Sequence, residues 1–167
     1  MAVVTIFGSS HLKDGEPEYQ KALELGRVLA KTGYTVCNGG YGGVMEASAR
    51  GAKEAGGRTI GVTTGEFGGF RNLWIDEEIR MKKWAKRLFK LIELGDAYVV
   101  FDGATGTLVE LFIVWEMLNK KLINKPLIVF GGILKEMVTQ VRKWPSVIDN
   151  RKIFFASEVK EILEFLK

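Results

Sequence analysis

Short apolar runs alternate with longer amphipathic stretches along this chain, and that alternation leaves few possible folds. The short runs are rich in β-branched and aromatic residues and almost continuously apolar, as strands covered on both faces are. They are Val3–Phe7, Tyr34–Cys37, Arg58–Val62, Ala97–Phe101, Pro126–Phe130 and Lys152–Phe155. Strand and helix in alternation predict an α/β fold, a Rossmann-like doubly wound parallel sheet in three α/β/α layers.

The amphipathic stretches between these runs predict the helices Glu16–Lys31, Val44–Ala55, Glu77–Leu94, Thr107–Asn119, Leu134–Arg142 and Ser157–Leu166. The segment Gly65–Ile75 is irregular, with three glycines around two phenylalanines, and we interpret it as a loop that could partly cover a site. We find no repeat, low-complexity segment or linker, and 167 residues suffice for one core. A single nucleotide-binding domain over residues 1–167 is therefore expected.

Several classes of protein are disfavoured by what the sequence lacks. No apolar run approaches the length of about 18 residues that a membrane span needs. The apolar start Met1–Phe7 has no basic leader and no cleavage site, so it predicts a first strand rather than a signal peptide. The single cysteine, Cys37, cannot form an internal disulfide, which agrees with a reducing compartment. A cytoplasmic location without membrane contact is expected.

The formal charge of +4 comes from scattered basic residues, which favours a solvated surface over nucleic-acid binding. A mildly positive surface also attracts small phosphorylated ligands. One histidine, His11, and one cysteine cannot form a zinc cluster, so no metal and no cofactor are predicted. For His11, an exposed loop role is favoured over a ligand contact. Ser9 and Ser10 lack a His–Asp relay, so a hydrolase triad is not supported. The Walker pattern is absent, which argues against a nucleoside-triphosphatase of that type.

Glycine-rich turns follow three of the predicted strands, at the sheet edge where ligands bind in open α/β folds. Glycine permits close backbone approach, and the following helix N-termini suit phosphate. In the usual doubly wound order, the turns 8–10 and 102–107 meet at the switch point between two neighbouring strands. Ordinary tight turns are the alternative reading, which the convergence of three turns disfavours. The predicted ligand-binding residues are Gly8, Ser9, Ser10, Gly39, Gly40, Gly42, Gly43, Gly103, Thr105, Gly106 and Thr107.

Two charged side chains have both a functional and a structural interpretation. Arg80 and Arg87 are seven residues apart at one edge of the apolar stripe of the helix predicted at Glu77–Leu94. Such an arginine can present its guanidinium to a cleft or form a surface ion pair. Glu110 follows Gly106-Thr107 in the first turn of the next predicted helix, so it suits either the helix dipole or the predicted pocket.

These motifs resemble the LOG (Lonely Guy) family of cytokinin nucleotide phosphoribohydrolases over nearly the whole chain. Phe7-Gly8-Ser9-Ser10 is similar to the family's first turn, and the run from Asn38 to Met45 to its second. The family's Pro-Gly-Gly-x-Gly-Thr-x-x-Glu is matched by the run from Asp102 to Glu110. Arg87 stands nine residues before Asp96, as the family's helical arginine does before the matching aspartate.

The resemblance implies hydrolysis of the N-glycosidic bond of a nucleoside 5′-monophosphate, with Arg87 and Glu110 as catalytic residues, and a homodimer or higher oligomer. Asp102 and Ala104 depart from the family's Pro and Gly, and Glu46 from a further Gly. Divergent relatives include proteins known as molybdenum-cofactor carriers. The alternative is therefore a non-catalytic carrier or sensor of a nucleotide or molybdopterin-type cofactor.

Overall fold

The structure, a computed structural model, describes residues 1–147 and 151–167. The strands are β1 (Val3–Phe7), β2 (Thr35–Asn38), β3 (Thr59–Thr64), β4 (Glu77–Met81), β5 (Ala97–Phe101), β6 (Leu127–Phe130) and β7 (Ile153–Ala156). The helices are α1 (Pro17–Lys31), α2 (Val44–Glu54), α3 (Trp84–Leu94), α4 (Thr105–Asn119), α5 (Gly132–Val141) and α6 (Val159–Phe165). A 3₁₀ turn, Gly65–Phe67, follows β3. No helix among the described residues is long and apolar enough to cross a bilayer.

All seven strands of the described chain pair in parallel in one sheet, in the order β4-β3-β2-β1-β5-β6-β7. The order reverses at the centre, where β1 pairs with β5 and Val4 faces Ala97. Chain crossovers run in opposite directions from these two strands, so their carboxyl ends bound an open crevice. The predicted Rossmann-like doubly wound sheet, with its switch point between these two strands, is confirmed.

Two apolar cores lie on opposite faces of the sheet and make the three layers. Residues of α1, α2 and α6 pack against one face, and residues of α3, α4 and α5 against the other. Between α1 and α2 the backbones touch, since a Cβ at Gly26 would collide with the carbonyl of Ser48 and one at Gly51 with that of Leu23. This close contact fixes α2, whose N-terminus borders the central crevice.

The helix predicted over Glu77–Leu94 is wrong in its first seven residues, because Glu77–Met81 form the edge strand β4 and α3 begins only at Trp84. Ile79 and Met81 turn toward the core while Glu78 and Arg80 stay exposed, which is the two-residue period of a strand. In the sequence this short alternation could not be distinguished from the start of the amphipathic pattern of the following helix. Charged residues are typical of sheet edges because they discourage pairing with another chain. As a consequence Arg80 is not on the helix of Arg87, and the two arginines do not share a stripe.

The helix predicted to start at Thr107 begins two residues earlier, at Thr105, with Ala104 as its N-cap. Thr107 is therefore the third helical residue and is buried. Glu110 lies beyond the first turn, so a role in neutralising the helix dipole is wrong for it.

Candidate functional site

A cavity of about 330 Å³ opens at the carboxyl edge of the sheet, at the switch point between β1 and β5. Eight of the predicted site residues line it: Gly8, Ser9, Ser10, Gly39, Arg87, Gly106, Thr107 and Glu110. The N-termini of α2 and α4 border the same space, so the positive dipole ends of two helices lie beside it. The site therefore suits an anionic group.

The three glycine turns contact one another directly. The amide of Ser9 donates to the carbonyl of Asp102 at 3.3 Å, and the amide of Val44 donates to the carbonyl of Ser9 at 2.8 Å. A side chain at Gly43, whose φ is +63°, would overlap the Ser9 carbonyl. Glycine is thus required where the second turn crosses the first.

Five predicted ligand residues do not line the cavity. Gly40, with φ +78°, turns the chain after β2, and its amide donates to the Asn38 side chain at 2.9 Å. Gly42 and Gly43 approach the first turn, and a Cβ at Gly103 would lie 2.8 Å from that of Thr107. Thr105 faces a different groove, on the outer side of α4. The four glycines thus belong to the turns that form the cavity without lining it, and Thr105 lies away from it.

Arg87 is almost fully buried, at 5% exposure, and reaches across the sheet edge from α3. Its Nε donates to the carbonyl of Val62 at 2.7 Å and its Nη2 to that of Gly39 at 3.1 Å. A Cβ at Gly39 would overlap the guanidinium, so a side chain there would have to displace Arg87 from its present position. Burial lowers the pKa of Arg87, an effect that the charge of Glu110 opposes. The alternative of an exposed arginine in a surface ion pair is wrong.

Glu110 faces the cavity from the second turn of α4. Burial raises the pKa of its carboxyl to about 7, while the nearby charge of Arg87 lowers it in part. Within the described residues the carboxylate of Glu110 forms no hydrogen bond, so its oxygens remain available to a ligand. A carboxyl that titrates near neutrality in a cavity is typical of groups that exchange protons or stabilise charge in catalysis.

Known proteins of similar sequence and structure show which family this chain belongs to. A model of the SLOG cluster4 family matches residues 1–162. The chain belongs to this family. The SLOG cluster4 chain is also similar to the cytokinin riboside 5′-monophosphate phosphoribohydrolase of Rhodococcoides fascians, with 28% identity over 137 residues, which are 77% of this chain and 67% of the relative. The sequence resemblance to the LOG enzymes is confirmed as distant homology.

Solved structures share the fold of this chain. The X-ray structure of TM1055 matches with a TM-score of 0.81 and 31% identity, covering 98% of this chain and 97% of that one. A molybdenum cofactor binding protein from Rippkaea orientalis matches with a TM-score of 0.75 and 24% identity, covering 98% and 93%. The similarity to the molybdenum cofactor binding protein shows that this chain has the same fold.

The SLOG cluster4 chain keeps its extra carboxylates out of the cavity. Asp102 points to the N-terminus of α5, where its side chain accepts from the amide of Leu134 at 2.8 Å and from that of Ile133 at 3.3 Å. Glu46 lies in the first turn of α2, and its charge acts on Tyr19 instead. Neither lines the cavity, so neither repels an anion there directly.

The cavity also has lining residues that sequence reasoning missed, most of them aromatic or apolar: Ile6, Phe7, Tyr41, Met45, Phe67, Trp84 and Ala104. His11, assigned to an exposed loop, is exposed and also lines the cavity. Phe67 lies in the irregular segment that the sequence placed near a site. The glycines around Phe67 were the sequence signal for a loop near the site, but they do not indicate which aromatic side chain of the loop lines the cavity. Among the described residues no group of three His, Cys, Asp or Glu could hold a metal.

Proposed function

We propose that this protein is a nucleoside 5′-monophosphate phosphoribohydrolase that releases a free base and ribose 5-phosphate. The observation that carries the proposal is that Arg87 and Glu110 face one cavity bordered by the N-termini of α2 and α4. Helix N-termini bind phosphate, and a carboxylate beside a sugar stabilises the positive charge that develops when a glycosidic bond breaks. The distant LOG homologue named above supports this assignment.

In this proposal the turns around Ser9, Gly39 and Gly106 bind the 5′-phosphate through backbone amides. Ionised Glu110 stabilises the oxocarbenium-like transition state or accepts a proton from the attacking water. Water forms the new bond to the anomeric carbon while the base leaves with the electrons of the glycosidic bond; the water loses one proton, to Glu110 or to solvent, and the base takes up one proton, so that the products are ribose 5-phosphate and the neutral base. The guanidinium of Arg87 stabilises the departing base or the phosphate as that charge moves.

The test is incubation of the purified protein with AMP and with other nucleoside monophosphates, followed by chromatography for the free base. We expect base release that depends on the 5′-phosphate, so adenosine should be a poor substrate. The matched control is Glu110→Gln, which keeps the shape of the side chain and removes its charge. If no monophosphate loses its base, the hydrolase assignment is wrong.

A carrier or sensor of a nucleotide or molybdopterin-type cofactor is the second candidate. It is favoured by the replacement of a rigid Pro and a Gly by Asp102 and Ala104 in the turn before α4, which changes the backbone freedom available for phosphate approach. Binding without release of base, together with a ligand that stays bound through purification and is identified by mass spectrometry, would support this candidate.

We further propose a homodimer or higher oligomer that buries the outer face of α4. Leu108, Phe112 and Ile113 line an apolar groove on this face, and Phe112 is 38% exposed. Trp115 of the same helix is buried in the core at 3% exposure and is not part of this face. A two-fold contact would cover it.

The assembly prediction is tested by light scattering at micromolar concentration, where we expect a mass of twice the chain or more. Phe112→Lys should shift the protein toward monomer because it places a charge in the contact. A control change at exposed Ile133, outside the groove, should leave the mass unchanged. A wild-type monomer would contradict the prediction.

A further inference from the structure

Phe67 occupies an unusual place at the mouth of the cavity. It ends the 3₁₀ turn after β3, lines the cavity and is still 56% exposed. The guanidinium carbon of Arg87 lies 5.5 Å from the centroid of the Phe67 ring and 5.5 Å from that of Tyr41. The two ring centroids are 6.1 Å apart. Both rings therefore lie within cation–π distance of the buried arginine.

Arg87 depends on these rings more than an ordinary arginine does. Its hydrogen bonds go to two backbone carbonyls, those of Val62 and Gly39, and within the described residues it forms no ion pair. A buried charge without an ion pair is costly unless hydrogen bonds and polarisable faces replace water. The carbonyls fix one edge of the guanidinium and the charge of Glu110 acts on it, so the two aromatic rings are the remaining contacts that bear on its orientation.

The two rings are held in different ways. The hydroxyl of Tyr41 donates to the carbonyl of Thr64 and accepts from its amide, both at 3.0 Å, so this ring is fixed to β3. Phe67 depends on its neighbour Glu66, whose carboxylate accepts from the amide of Trp84 at 2.7 Å and from Lys83 Nζ at 3.0 Å. These bonds hold the 3₁₀ turn against the start of α3.

Beyond Phe67 the backbone loses side-chain constraints. Gly68 and Gly69 have φ values of +68° and +76°. Glycine adopts this region freely, so the chain after the turn gives Phe67 little support. The position of the ring is consequently set from the Glu66 side.

We propose that Phe67, anchored through Glu66, is a positioning residue that holds the guanidinium of Arg87 in its working orientation at the cavity. The Phe67 ring lies beside the Tyr41 ring as seen from the guanidinium, at the same distance from it, and limits the access of water from the mouth of the cavity. The kinetic consequence of this role rests on the proposed hydrolase function, whereas the orientation of Arg87 can be measured without any substrate.

The first experiment observes Arg87 itself by ¹⁵N NMR of the arginine Nε–H groups, with the signal assigned through its loss in Arg87→Lys. In Phe67→Leu, which keeps apolar bulk and removes the ring, we expect a changed chemical shift and Nε–H exchange with water at least about fivefold faster. Phe67→Tyr should restore both. Phe70→Leu is the control, because Phe70 is in the same loop, 92% exposed and outside the cavity lining.

The second experiment tests the anchor and the kinetics. Glu66→Gln should shift the Arg87 signal in the direction of Phe67→Leu. With AMP, Phe67→Leu should lower kcat about 2- to 30-fold, the range that cation–π energies give, with a smaller change in KM and rescue by Phe67→Tyr. Melting temperatures of all variants are compared, and a kcat loss matched by Phe70→Leu would overturn the proposal.

The two experiments separate the failures. An unchanged Arg87 shift and exchange rate in Phe67→Leu would overturn the positioning role, whatever the enzyme does. A changed Arg87 signal with unchanged kcat in an active enzyme would overturn its importance for the reaction. A changed signal in a protein that releases no base from any monophosphate would support the positioning role and contradict the hydrolase function instead.

Discussion

Asp102 and Glu110 stand eight residues apart at the two ends of one motif, yet their surroundings are opposite. Asp102 accepts hydrogen bonds from two amides at the start of α5 and does not line the cavity. The carboxylate of Glu110 faces the cavity without a hydrogen bond among the described residues, and burial raises its pKa to about 7. The comparison teaches that the same side-chain chemistry stabilises the fold where it is satisfied and is available for reaction where it is not.

The largest expected effect separates the two ends of the motif. Glu110→Gln should reduce base release from AMP by at least about 100-fold, because charge stabilisation in a transition state is worth that much, while nucleotide binding persists. Turnover by chromatography and binding by calorimetry measure the two parts. Asp102→Asn is the matched control and should keep most of the activity. Glu110→Gln with most of the wild-type rate would remove Glu110 from the mechanism.

Arg87 sharpens the comparison because its charge acts on Glu110 from inside the cavity. Arg87→Lys keeps the charge and loses the planar fork, so phosphorylated ligands should bind or turn over about 10- to 100-fold more weakly. The loss should exceed any loss of global stability, as followed by the melting temperature. If the melting temperature collapses and affinity per folded molecule is unchanged, Arg87 is a structural residue only.

The pH dependence follows from the raised pKa of Glu110. Since the ionised form is the active one in our proposal, kcat/KM should rise about tenfold per pH unit below 7 and level off above it. The phosphate of AMP titrates near pH 6, and AMP binding to Glu110→Gln measures that contribution separately. A profile that falls as pH rises through 7 would assign Glu110 the role of a proton donor.

The free energy of unfolding should also depend on the ionisation of Glu110, but with the opposite sign to kcat/KM, because it should fall as pH rises. A carboxyl whose pKa is higher in the folded than in the unfolded protein favours folding while it is neutral, and this support is lost as pH rises through about 7. Glu110→Gln should therefore melt higher than the wild type at pH 8, by about 2–4 °C for each kcal/mol recovered, and not at pH 4. Equal differences at both pH values would contradict a raised pKa for the Glu110 carboxyl.

The smallest effect is expected at the other end of the motif. Asp102→Ala removes the acceptor for the first amides of α5 and should cost about 1 kcal/mol, typical for a lost helix cap. Base release at a temperature where the variant is folded should change less than about twofold, within the scatter of a substitution that does not touch the site. A large loss of activity without a change in melting temperature would place Asp102 in the site.

Part of the fold and of the candidate site could be predicted from the sequence because it depends on local patterns. Continuous apolarity identified β1 and β5, and glycines at strand ends located the turns that meet at the switch point. The resemblance to the LOG motif selected Arg87 and Glu110, whose roles the residues alone left open. The edge strand β4 was missed because five alternating residues ahead of a helix fit both periods, and pairing with β3 decides between them.

What the sequence by itself determined is therefore the order of elements, the edge of the sheet that carries the site and the two charged residues that face it. Only the tertiary structure decided that Asp102 turns to α5, that the rings of Phe67 and Tyr41 both lie near the guanidinium of Arg87, and that the pKa of Glu110 rises to about 7. The reason is physical: secondary structure follows from local periodicity, whereas the partners and the desolvation of a side chain depend on segments distant in sequence that packing brings together.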